Sequence, residues 1–148
     1  MKFYVFALCS VSLCLLTSWT GSQSTPDKRS QFEPKLMSVD SILEHIKPQE
    51  NSPVRIFTQG EHCTVNVIQA KSQIKSHYHA KHEEVVYVVS GTGTMRLGNR
   101  TYTVKSGDLM YIPKNTVHGF TLQSQECVVV SVFSPTFDGK DRIFVDDK

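Results

Sequence analysis

The sequence predicts an all-β fold, a sandwich or barrel of many short strands, with one short helix ahead of it. Three observations carry this. From about residue 53 onward, short β-branched runs alternate with turn residues. No helix-period apolar stretch separates these runs, which argues against parallel βαβ units. The 148 residues suit a single domain.

The elements follow in order. Lys2 precedes the apolar run Phe3 to Leu16, after which small and polar residues begin at Thr17 and Ser18. That order matches a secretory signal peptide, assigned to residues 1–24, with cleavage expected between residues 21 and 25. The run is shorter than the roughly 20 apolar residues that span a bilayer, so a membrane anchor is not expected. Leu8 before Cys9 and Leu13 before Cys14 are too large for a lipid-attachment site. The expected location is therefore secreted or periplasmic.

Residues 25–53 form a lead-in containing one short helix. Ser41 with Glu44 three residues later forms a capping-box pattern, and Pro48 stops the segment. Ile42, Leu43 and Ile46 should pack on the larger body, with His45 at the surface.

Strands are expected over residues 54–58, 63–70, 76–79, 84–90, 93–97, 100–104, 108–112, 118–123 and 127–134. Gly98-Asn99 is a good two-residue hairpin turn. Gly91, Gly107 and Asn115 mark further turns. Val86, Val88, Met110 and Ile112 read as core. The tail, residues 135–148, leaves at Pro135 and is expected to pack Phe137, Ile143 and Phe144 on the outside.

Charge excludes one class of partner. Sixteen Lys plus Arg face fourteen Asp plus Glu, with no basic block or aromatic-interleaved basic stripe, so nucleic acid is not expected. A small-molecule ligand or substrate is the expected partner. No membrane contact is expected after signal cleavage, and a homodimer stays open.

The chemistry concentrates in "SHYHAKHEE", residues 76 to 84. Residues two apart in a strand share a face, so His77 and His79 point one way and Tyr78 the other. Glu84 opens the next strand. Taken alone, His-x-His is more often surface than ligand. The wider spacing is specific. His77-x-His79-(x4)-Glu84-(x6)-Gly91 resembles the first motif of the cupin superfamily, and Gly107-(x5)-Pro113-x-Asn115-(x2)-His118 is similar to the second. Asn115 stands where that family usually has Gly, and Leu122 where it often has Asn. Asn tolerates the left-handed conformation, so the turn can survive.

The resemblance implies a single jelly-roll barrel over residues 54–134. It implies a metal site of His77, His79, Glu84 and His118, holding one divalent transition metal ion (Mn, Fe, Ni, Cu or Zn). In a jelly roll the strand carrying His77 and His79 pairs antiparallel with the one opening at His118, so the four ligands meet at one mouth. Glu83 is the fallback ligand, and Tyr78, His82 and Lys114 are candidates for a polar rim. His62, Arg96 and Arg100 are expected at the surface.

The family spans dioxygenases, isomerases, lyases and non-enzymatic binders. The expected function is an exported metalloenzyme of dioxygenase, isomerase or lyase type acting on a small oxygenated molecule, because all four ligands are kept. A binding cupin with a structural or vestigial metal is the alternative. No catalytic residue is assigned beyond the ligands.

Cys63 and Cys127 should open neighbouring antiparallel strands and so lie at opposite ends of the pair. Seven residues at about 3.3 Å each put them roughly 20 Å apart. A disulfide needs Cα atoms about 4.4–6.8 Å apart, so none is expected.

Overall fold

A computed structural model of the chain describes residues 33–146. The expected signal peptide and the start of the lead-in lie outside the described residues.

Helix α1 (Val39–His45) begins one turn earlier than the capping-box pattern suggests. Ser38 is the N-cap, its hydroxyl oxygen accepting from the Ser41 N–H at 3.1 Å. Two serines three residues apart both fit a cap. The earlier start lets Val39 share the buried face with Ile42, Leu43 and Ile46, which pack with Val67 and Val128. Ile42 is buried, while His45 is exposed and beside Glu44.

Ten strands follow: β1 (Val54–Gln59), β2 (Thr64–Ala70), β3 (Ile74–Tyr78), β4 (Glu83–Ser90) and β5 (Thr92–Leu97), then β6 (Arg100–Lys105), β7 (Leu109–Ile112), β8 (His118–Leu122), β9 (Cys127–Ser134) and β10 (Ile143–Phe144). They form two five-stranded sheets, ordered β1-β2-β9-β4-β7 and β10-β3-β8-β5-β6. Every pairing is antiparallel. This is the expected all-β jelly roll, with strand ends shifted by one or two residues. Among the described residues no helix is long and apolar enough to cross a membrane.

Side chains of one phase on most strands fill the space between the sheets, and in β3 a register shift between Ile74 and His77 lets both face it. Val86, Val88, Met95, Val104, Ile112 and Phe120 form most of that core, with Met110 and Leu122 partly buried against it. Full burial of one such aliphatic side chain contributes about 1.5–3 kcal/mol. At position 93 the sheet has no room for a side chain, since a Cβ there would lie 2.2 Å from the Phe120 ring. Glycine is what lets that ring close the core.

Strand β2 is covered on both faces. Thr64, Asn66, Ile68 and Ala70 face inward, whereas Val67 meets α1. The β5–β6 hairpin turns through Gly98-Asn99, with Leu97 opposite Arg100. Asn115 adopts φ 62°, the left-handed conformation expected of it.

The tail does more than cover the outside. It returns as β10 along β3, pairing Ile143 with Tyr78 and Phe144 with His77. Ile143 and Phe144 leave their side chains exposed, contrary to the expected packing. Phe137 does pack, stacked on Phe133 with ring centroids 4.4 Å apart.

Strand β2 starts at Thr64, so Cys63 precedes the strand instead of opening it. The register pairs Ala70 with Cys127 and Thr64 with Phe133. The two cysteines therefore sit at opposite ends of the β2–β9 pair, and both are free. Mass mapping of non-reduced, oxidised protein should yield Cys63 and Cys127 on separate peptides. A linked pair would contradict the register.

Candidate metal centre

The pairing of β3 with β8 sets His77 directly opposite His118. His79 lies just beyond the end of β3, and Glu84 is the second residue of β4. All four side chains are buried. The imidazole nitrogens of His77, His79 and His118 that could ligate an ion lie within 4.8 Å of one another.

Hydrogen bonds decide which nitrogens face inward. His77 Nδ1 meets the Lys75 carbonyl at 2.8 Å, and His118 Nδ1 meets the Thr116 carbonyl at 2.9 Å. His79 Nδ1 meets the carbonyl of Asp141. A carbonyl can only accept, so each Nδ1 carries the proton and each Nε2 keeps a lone pair. The Nε2 atoms of His79 and His118 are buried without a hydrogen-bond partner. An orphaned buried nitrogen costs free energy unless something else takes its lone pair. Imidazole nitrogens pinned through the opposite ring atom are the arrangement metal-ligating histidines show. The donor set fits a metal ion.

Glu84 lies beside two of the three rings, outside the set of mutually close nitrogens. The Ser131 hydroxyl donates to its Oε1. Its Oε2 lies 3.4 Å from His118 Nε2 and 3.9 Å from His79 Nε2. Burial pushes the carboxyl pKa up, but His118, the Ser131 hydroxyl and the charge of His79 outweigh it, and the net shift is downward.

Burial, followed by the charge of His118, lowers the His77 pKa from 6.5 to about 4. Burial also lowers that of His79, against the opposing effects of the Asp141 carbonyl and Glu84.

Two contacts hold the His79 segment. The Asn115 N–H donates to the His79 carbonyl at 2.7 Å, so the turn of the second motif grips the first. Asp141 grips it from the tail. Its carboxylate accepts from the N–H groups of Ala80 at 3.1 Å and Lys81 at 2.7 Å, and from His82 Nδ1 at 2.6 Å. Burial raises the Asp141 pKa, and these donors more than reverse that.

His82 is thus no rim residue. It is buried, with Nε2 facing the Thr136 carbonyl at 3.3 Å. Glu83 opens β4 on the face opposite Glu84 and takes a hydrogen bond from Tyr111, so it is not placed to ligate. His62 is exposed beside Glu61, at 3.7 Å. Arg96 donates from Nε to the Gly98 carbonyl at 3.2 Å. Arg100 and Lys114 are exposed, and Tyr78 is half-buried.

An apolar cavity of about 60 Å³ adjoins the cluster. His77, Glu84 and His118 border it at one end, while Val86, Val88 and Phe120 are among its walls. His79 is turned toward Phe133 and Phe137, edge to face, at 5.0 and 5.4 Å.

The sequence reading missed Ser131 and Asp141, and also Arg142, which borders the cavity beside His77, Glu84 and His118. Ser131 carried a signal, being the one hydroxyl on the inward phase of an apolar strand that runs Cys127, Val129, Ser131, Phe133. Asp141 and Arg142 carried none, because their role depends on a tail that folds back from about 60 residues downstream, as in the 61-residue separation from Ala80.

A model of the cupin domain family matches residues 64–133. An uncharacterised protein of Aquifex aeolicus is 34% identical over 119 residues, covering 78% of this chain and 97% of the relative. The chain belongs to the cupin superfamily. A second relative, quercetin 2,3-dioxygenase of Bacillus subtilis, is 28% identical over 128 residues, or 86% of this chain, which spans only 36% of that longer protein. A solved structure from Klebsiella pneumoniae, an uncharacterised conserved protein with a double-stranded β-helix domain, superimposes with TM-score 0.63 at 25% identity. It covers 78% of this cupin and all of that chain.

The buried imidazoles predict a pH dependence. Between about 4 and 6.5 the unfolded chain takes a proton at position 77 that native His77 refuses. The unfolded state then binds more protons, so stability rises with pH across this window. Metal-free protein should keep its full urea resistance above pH 6.5 and lose it progressively toward pH 4. A flat urea midpoint across that range would contradict His77 as a buried neutral imidazole.

Proposed function

We propose that this cupin is an exported metalloenzyme in which His77, His79, Glu84 and His118 hold one divalent transition metal ion: Mn, Fe, Ni, Cu or Zn. The observation that carries the metal is the set of inward Nε2 atoms, two of them orphaned, on rings whose Nδ1 protons are already committed. Nitrogen and carboxylate donors suit these ions without choosing among them.

The enzyme reading rests on the space beside the cluster. A structural ion is closed by protein ligands, whereas a catalytic one keeps positions for water or substrate. Four protein donors would leave two positions of an octahedron open, and a cavity borders His77, Glu84 and His118. A bound ion would supply Lewis-acid polarisation or oxygen activation. The chain's own residues orient the donors through Lys75, Thr116 and Asp141, hold Glu84 through Ser131, and exclude water with the apolar walls. The activity named for the Bacillus subtilis relative supports a reaction of dioxygenase type, with isomerase and lyase types in the same class of small oxygenated substrates.

Purified protein should carry about one transition-metal ion per chain. His118→Ala should largely remove it, as measured by elemental analysis. Full metal content in His77→Ala/His118→Ala protein would refute the cage.

Export rests on the pattern of residues 1–24. N-terminal sequencing of protein from the native cell should start near Gln23 to Pro26. Recovery from the cytosol with Met1 intact would refute export.

A further inference from the structure

Arg142 is a charged group at the site that the metal reading does not use. It sits between Asp141, which is fastened to residues 80–82, and Ile143, which is paired to β3. Its place is therefore fixed from both sides. It borders the inner cavity beside His77, Glu84 and His118, and it also borders a second, more polar groove of about 310 Å³. That groove is lined by Asn66, Thr64, Phe133 and Phe137 among others. Arg142 thus lines both spaces.

Its hydrogen bonding is incomplete. Arg142 Nε is buried with no partner, and so is Asn66 Oδ1 in the adjoining groove. A buried guanidinium N–H without an acceptor is costly, and Arg stays charged even where burial lowers its pKa. Glu84 is near enough to act on it through charge. Glu84 Oε1 is taken by the Ser131 hydroxyl, and neither Glu84 oxygen bonds Arg142 Nε. The exposed Asp138 at the outer edge of the groove accepts from the Lys140 N–H at 3.0 Å.

We propose that Arg142 is the anion-binding residue of this site, and that its ligand is a small oxygenated carboxylate whose acid group pairs with the guanidinium. The planar fork of Arg matches a carboxylate with two parallel hydrogen bonds. The inner cavity, at about 60 Å³, holds a few water-sized groups at roughly 10–15 Å³ each. It admits an acid group and the adjacent oxygenated carbon, and a longer substituent extends into the outer groove. An oxygen on the carbon next to the acid then faces the imidazole cluster. Only the destination of that oxygen rests on the metal reading. The pairing with Arg142 does not.

The test uses the mature chain, both metal-stripped and metal-loaded, with glycolate as probe and neutral glycolamide as control. In stripped protein, glycolate should shift the Arg142 Nε–H resonance and glycolamide should not. Arg142→Gln should weaken glycolate binding at least tenfold by calorimetry in both forms, with metal content and circular dichroism unchanged. Glycolate binding within twofold of wild type in that variant would overturn the proposal, as would an Nε–H resonance indifferent to glycolate. Loss of metal from Arg142→Gln would also overturn it, since the residue would then act as a support for the ligands. Should Arg142→Gln fail to fold, Arg142→Lys carries the test, and equal affinity of that variant for acid and amide overturns the proposal. Failure of the metal reading shows separately, as wild-type protein that takes up no metal while the stripped-protein measurements stand.

Discussion

The site depends first on the register between β3 and β8. Setting His77 opposite His118 puts two imidazoles on one inward face, with ring centroids 4.3 Å apart. A slip of one residue would turn every side chain of β3 to the other face, because strand side chains alternate with period two. The sheet resists that slip through its packing. Ser76 lies against Gly119, where an added Cβ would come within 3.0 Å of the Ser76 hydroxyl. A side chain at 119 would press on Ser76 and the Ile74 carbonyl, which would have to give by a few tenths of an ångström.

Register alone does not place His79, which lies past the end of β3. Two loops from elsewhere complete the task. The left-handed turn at Asn115 holds its carbonyl, and Asp141 holds both its ring and the following residues. The tail is therefore a working part of the site. It supplies the carbonyl that sets the tautomer of His79, the carboxylate that orders the loop, and an arginine that lines both the inner and outer spaces.

The same barrel shows a division of labour along its inward faces. One end is closed by Val88, Met95, Phe120 and Cys127, with Gly93 leaving the volume the Phe120 ring needs. The other end carries the polar set: His77, Glu84, His118, Ser131 and Asn66, every one of them buried. Burial raises the cost of any unsatisfied polar atom, and the satisfied ones lock the imidazoles and Glu84 in place. Lowered imidazole basicity follows from the same burial and keeps the lone pairs available.

Local pattern by itself determined strands β1 to β9, the Gly98-Asn99 hairpin, the core positions 86, 88 and 112, and the spacing that marks His77, His79, Glu84 and His118. Those features are local because strand alternation and turn conformation act over a few residues. It also pointed to the absence of a Cys63–Cys127 disulfide, since strand order places them at opposite ends. Tertiary structure alone decided the start of α1, because two serines could cap it and the packing of Val39 chose between them. It decided that His82 is buried, through a carboxylate 59 residues away. It decided that Glu83 faces away from the cluster, and that Asp141 and Arg142 belong to the site. Each of these rests on contacts between segments distant in the chain, whose meeting is set by how the whole barrel closes and not by any local residue pattern.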